Sequence, residues 1–399
     1  MDGWNRIKAS DFINFNPRES LPKNTKAKKV AMEHLLPYTR DVSEYEIALF
    51  TGGTKFRNGD TIMAKITPCL ENGKTAQVNF LGSDEVGFGS TEFVVMRAKP
   101  NVSDADFVYY LATSPFFRRI AIQSMVGSSG RQRVQQGVLD FTELLVPPLL
   151  VQVEIGRTLR ILDDKITHNI KINHHLEQMA QAIFKSWFVD FEQWGGVMPE
   201  DWHQGTIADL TTNIYSGGTP NTRNNCFWNG ILPWLSSGET RNRFIIAAEK
   251  SITEEGVKNS STRLAHRMDV VMASAGQGFT RGQTSLLLFD SYINQSVIVI
   301  SGIHPYFVFL NLSGRYEELR AISDSSSIRG SITTKMIAQF PSLVPTDSTL
   351  RDFSALIAPF IDQIDNNLRE TDRLATLRDT LLPRLMSGEL SVTTLADTK

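Results

Sequence analysis

The sequence predicts an α+β protein: two globular mixed α/β domains separated by two long antiparallel coiled-coil helices, with a pseudo-twofold internal repeat. Three observations predict it. In the middle of the chain apolar residues recur at heptad spacing for more than four heptads without a proline. A second stripe of the same spacing lies near the C-terminus. Sliding the sequence by 198 residues lays both ends of one half over both ends of the other.

The first domain, residues 1–148, reads as short β-branched strands such as TIMAKI (61–66) and EFVVM (92–96), separated by Gly, Asn and Ser turns. A short helix is expected over residues 106–120. Pro147 and Pro148 then break the chain, and a helix over residues 149–192 follows. Its seam is Ile155, Leu159, Leu162, Ile166, Asn169, Asn173, Leu176, Ala180, Ile183 and Trp187, in alternating steps of four and three. Pro199 opens the second domain, residues 199–346, with strands at DVVMA (269–273) and SVIVI (296–300) and a helix over 305–313. After Pro345 the final helix, residues 349–390, repeats the steps with Phe353, Ile357, Phe360, Ile364, Asn367, Thr371, Leu374, Arg378 and Leu381.

The repeat is anchored at both ends. Trp4 and Asp11 fall on Trp202 and Asp209, Leu145-Val146-Pro147 on Leu343-Val344-Pro345, and Asp164, Ile166 and Asn169 on Asp362, Ile364 and Asn367. Between the anchors, Gly59–Ala64 matches Met268–Ala273 at a shift of 209. Each half is therefore a globular domain followed by a long helix. A parallel helix pair would need a return connection along its full length, so the antiparallel arrangement is expected, with a domain at each end of a gauge. Asn169, Asn173 and Asn367 in the seam would fix its register.

A helix pair of this kind is marginal alone and must bury further surface. Phe184, Trp187, Phe188 and Phe191 on one helix, and Leu382 and Leu385 on the other, are the apolar residues for that task. They pack either on the chain's own domains or on partner subunits.

Composition sets the class. With 41% hydrophobic and 21% charged residues, the 399-residue chain is an ordinary globular protein. No apolar run approaches the roughly 18 residues of a membrane span, and MDGWNRIK carries no signal region. Cys69 and Cys226 are the only cysteines, which fits a reducing compartment. A cytoplasmic location is expected. The net charge of -2 argues against a basic coat but leaves room for a local basic surface.

Catalytic signatures are missing: the sequence has no GxGxxG after a strand, no HExxH and no GxSxG. His168, His174 and His175 crowd one helix without an acidic or Cys ligand at matching spacing, and read as a solvated face. What remains is recognition. Gly127–Gly137 (GSSGRQRVQQG) joins small flexible residues, including Ser128 and Ser129, to Arg131, Gln132 and Arg133. Arg and Gln can read guanine and adenine edges bidentately in the major groove. The repeat mate carries Ser326, Ser327 and Arg329. Taken alone such a loop is more simply a solvated turn. Its recurrence at one place in both halves, in different amino acids, favours two readers of different sequences. Lys55, Arg57, Lys65, Arg223, Gln277 and Arg281 are secondary candidates in Gly-rich loops, as phosphate contacts or plain surface. Thr219 lies in SGGTP (216–220), a turn first and a contact second.

These residues resemble a known family, the specificity (S) subunit of type I restriction-modification systems. The resemblance rests on ILDDKITHNIKINHHLEQMAQAIFKSWFVDFE (161–192), RDTLLPRLMSGEL (378–390), SGGTP with the following FWNGILPWL, and the PEDW opening of the second half. It covers both helical regions and both domain starts. The first half departs from the pattern in lacking a clear SGGTP-type segment. The resemblance implies a chain without catalysis of its own and without a bound cofactor. Its two target recognition domains would each bind half of a split, asymmetric double-stranded DNA sequence, and the helices would set the spacer. Two methyltransferase subunits would dock on it and use S-adenosylmethionine to methylate adenine. Two ATP- and Mg-dependent restriction subunits would add cleavage. The competing reading is a coiled-coil scaffold whose end domains bind proteins.

Overall fold

The computed structural model describes residues 3–128, 130–276, 279–324 and 330–392. The chain is an α+β protein dominated by two 40-residue helices, Leu149–Phe188 (the central helix) and Asp347–Met386 (the C-terminal helix). It divides into two compact units: Met1–His168 with Thr371–Lys399, and Asn169–Glu370. Each unit thus combines one globular domain with part of each helix. No described helix is long and apolar enough to cross a membrane.

In the first domain one sheet runs in the order Ile13–Phe15, Phe93–Ala98, Thr61–Ala64, Thr75–Gln77, all antiparallel. A second sheet runs Glu46–Leu49, Lys26–Val30, Gly87–Gly89, Thr54–Phe56, with its central pair parallel. The second domain repeats both. Its sheets run Asn213–Ser216, Val297–Ser301, Val270–Ala273, Thr284–Leu287, and Lys250–Ile252, Trp228–Leu235, Ser291–Ile293, Arg263–Ala265. The parallel central pair recurs, and one added strand, Phe244–Ile245, extends the first of these sheets. In each half a two-stranded ladder closes the domain: Asn5 pairs with Val146, and His203 with Val344, each residue displaced by the repeat shift.

Strand alternation explains the cores. Met63, Val94 and Met96 face a core shared with the helices, whereas Ile62, Phe93 and Val95 face the second sheet. Val270 and Met272 against Val271 and Val299 repeat this division. The turns that launch the equivalent strands also match. Asp60 accepts the Arg57 N–H at 2.7 Å and Asp269 the His266 N–H at 2.8 Å. Gly59 and Met268, just before these aspartates, both hold positive φ, 86° and 74°.

The helix expected over 106–120 is two helices, Ala105–Thr113 and Pro115–Gln123. The Ser114 hydroxyl accepts the Phe117 N–H at 3.3 Å, capping a helix whose first residue is proline.

Helix pairing is antiparallel within each unit. In the second, Asn169 donates to Glu370 at 2.8 Å, Asn367 donates to Asn173 at 2.8 Å, and Phe188 packs on Phe353 at 4.9 Å between centroids. Partner positions thus fall along one helix as they rise along the other. In the first unit Arg378 reaches Asp163 at 2.6 Å, and the Tyr110 hydroxyl donates to the same carboxylate at 2.7 Å. Of the expected seam, Ile155, Leu159, Asn169, Phe353, Ile357, Ile364 and Asn367 are buried. Leu162, Ile166, Leu176, Ile183, Phe360, Leu374 and Leu381 are half-buried. Ile361 is buried in preference to Phe360, because the helix packs on its own globular domain as well as on the other helix.

Of the two alternatives for Phe184, Trp187, Phe188, Phe191, Leu382 and Leu385, packing on the chain's own domains is seen for all six. Phe184 and Phe188 are buried in the second unit with Phe307, Phe353 and Trp202, and Trp187 and Phe191 pack against the same cluster. Leu382 and Leu385 are buried in the core of the first unit. These residues anchor the chain's own domains to its helices; Phe184, Phe188, Leu382 and Leu385 are buried, and Trp187 and Phe191 are half-buried. The large apolar residues still exposed on the helices are others, among them Leu150, Ile161, Ile170, Met179, Leu356 and Leu377.

Candidate nucleic-acid interface

In the first domain the buried strand Thr61–Ala64 delivers Lys65 to a junction of three segments. The Lys65 N–H donates to the Glu92 carbonyl at 2.9 Å, and its carbonyl accepts the Val134 N–H at 2.9 Å. The Thr67 N–H donates to the Gln132 carbonyl at 3.0 Å, while Val126 and Arg133 exchange two bonds of 3.0 and 2.9 Å. These bonds close the ends of a loop tip that begins at Gly127 and returns at Gln132. Gly127 lies at φ 136°, where a Cβ would come within 2.9 Å of the Arg131 carbonyl, so the tip requires glycine there.

Ser128 and Arg131 are exposed on the tip, Gln132 is half-buried, and Lys65 stands beside it. Among the described residues no ion pair holds Arg131. Arg133 is different. Its Nε lies 3.1 and 3.0 Å from the two Glu92 oxygens and its Nη2 lies 2.7 Å from one of them. The Arg133 hydrogen bonds hold the Glu92 carboxyl below the usual range.

The second domain builds the same frame. The Ser274 N–H donates to the Ser296 carbonyl at 2.8 Å, and its carbonyl accepts the Ile332 N–H at 2.8 Å. Val134 and Ile332 are repeat mates, as are Lys65 and Ser274 in the register of the preceding strands. One frame therefore carries Lys65, Glu92 and Arg133; the other carries Ser274, Ser296 and Ser331 at the matching places. Ser129, Gln277, Ser326, Ser327 and Arg329 lie outside the described residues.

Other candidates are engaged within their own domains. Arg57 pairs with Glu19 at 2.8 Å and Lys55 donates to the Glu19 carbonyl at 2.6 Å. Glu19 also takes Arg97 at 2.6 Å, and Arg97 grips the buried Asp60 through two bonds of 2.7 Å. Arg281 donates to Asp324 and to the Gly330 carbonyl. The Thr219 hydroxyl donates to Gln295. Gly217 and Gly218 have a structural reason: a Cβ would fall 2.1 Å from the Ile293 carbonyl and 2.1 Å from the Ser261 hydroxyl, respectively. Arg223 is exposed. Sequence reasoning missed Glu92, which reaches Arg133 only through long-range strand pairing.

The family described as "Type I restriction modification DNA specificity domain" matches residues 1–178 and 199–378. The chain belongs to this family. Each specificity-domain match takes in one globular domain and much of the helix after it, so the family unit recurs with the repeat. The chain is 23% identical to the MjaIX specificity subunit of Methanocaldococcus jannaschii over 303 residues, 72% of this chain and 69% of that one. It is 23% identical to the HindI specificity subunit of Haemophilus influenzae over 411 aligned positions, 84% of this chain and 87% of the relative. The S subunit of a type I system from M. genitalium shares the fold, with a TM-score of 0.62 at 14% identity over 96% of both chains.

Proposed function

We propose that this chain is the DNA-sequence-recognition subunit of a type I restriction-modification complex and binds a bipartite, asymmetric duplex target. The observation that carries the reading is the duplicated frame, which presents Lys65, Glu92 and Arg133 in one domain and serines in the other. A duplicated scaffold that differs in its presented side chains suits two unlike half-sites. The helix pair sets the spacer between them. Two methyltransferase subunits dock on this chain, which contributes no catalysis. They bind S-adenosylmethionine and methylate adenine at N6. A complex that also holds two restriction subunits, with ATP and Mg, cleaves DNA. The complex works in the cytoplasm, where its DNA is.

A salt titration tests the reading. The chain with its methyltransferase subunit binds duplex DNA, with log affinity falling against log salt by about 0.9 per phosphate contact. A protein-binding scaffold gives no duplex affinity even at low salt, and that result would reject the reading.

A further inference from the structure

We propose that Glu92 aims Arg133 at a guanine in the half-site bound by the first domain. The proposal rests on the DNA-recognition reading above and names a base class and a positioning residue within it. A guanidinium has five N–H donors. Glu92 takes the edge formed by Nε and Nη2. The other edge, formed by Nη1 and the second Nη2 proton, has only a 3.5 Å approach to the Arg131 carbonyl. That edge is the fork that matches O6 and N7 of guanine.

Two physical arguments favour a base over a phosphate. The Glu92 carboxylate cancels the charge of Arg133, so the pair gains little from the field of the phosphate backbone, while its short-range hydrogen-bond geometry is retained. A side chain already held in place also loses less rotamer freedom on binding than a free arginine. The pair stands at the base of the exposed tip, with Arg133 about half exposed (47%). Ser296 and Ser331 occupy the matching places in the second domain, so the second half-site has no such reading.

The test uses the assembled complex with its methyltransferase subunits and a library of duplexes randomised across both half-sites. Arg133→Ala is expected to reduce discrimination at one guanine of one half-site by about 10- to 100-fold and leave the other half-site unchanged. Arg133→Lys keeps the charge but not the fork, and is expected to lose the same discrimination. Glu92→Ala is expected to blunt it at the same base while making the salt dependence of binding steeper; Glu92→Gln recovers part of it. Thermal unfolding of each variant identifies any that fail to fold, and the lysine and glutamine variants then carry the test. Discrimination lost evenly at all positions, an unchanged motif in Arg133→Lys, or a weaker Glu92→Ala complex with its motif intact would each overturn the proposal. Absence of duplex binding by the unmutated complex would overturn the underlying reading with it.

Discussion

Arg131 and Arg133 are two residues apart and do different things. Arg131 stands exposed at the tip and Arg133 is clamped by Glu92. Arg131→Ala is expected to relax or abolish recognition of one half-site only, read by mapping the methylated sites of the complex; a change in the other half-site would contradict the assignment. Acid should act on the carboxylates that hold such arginines. Glu19, hydrogen-bonded by Arg57 and then Arg97, and Glu92, hydrogen-bonded by Arg133, both titrate below the usual carboxylate range. Their contribution to stability is complete above the unfolded value of about 4.3 and is lost as pH falls through the lower folded values. Thermal unfolding should therefore shift down on acidification below about pH 4, and less so in Glu19→Gln. Sequence exposed the arginines through their residue type in a small-residue loop. It hid Glu19 and Glu92, because tertiary folding rather than sequence spacing brings them to their arginines: Glu19 from a loop, Glu92 from just before a paired strand.

Among the elements, the helix pair was the most legible, since a stripe of apolar residues in steps of four and three needs no knowledge of tertiary contacts. Its polar interruptions were half legible. Asn169, Asn173 and Asn367 stand in the seam and bond across it, joined by Gln363 at 2.7 Å and Glu370. Arg378 broke the apolar pattern, but its partner Asp163 lies off the seam and gave no signal. Both groups of that pair are nearly buried, with side-chain exposures of 12% and 5%. Arg378→Ala should cost about 3–5 kcal/mol, because it leaves the Asp163 charge buried with only Tyr110 and solvent-poor surroundings. Chemical denaturation of the variant measures it. The sheet order of the domains was not legible, because many short strands of similar composition admit many pairings.

For the whole molecule the repeat is the organising fact, and it reaches from the register of the closing ladders to individual backbone hydrogen bonds. If the helices measure the spacer, removing one heptad from each should change the accepted spacer and leave both half-sites intact. Mapping methylated adenines in a host carrying the shortened chain reads both quantities at once, and an unchanged spacer would show that the helices are not the ruler. The frame around Lys65 and Ser274 carries one more consequence. The bonds that tie Lys65 to Glu92 and Val134, and Ser274 to Ser296 and Ile332, are made by main-chain atoms, which lysine and serine supply equally well. One scaffold therefore accepts a charged residue in one copy and a small hydroxyl in the other, with no change to the fold that holds them.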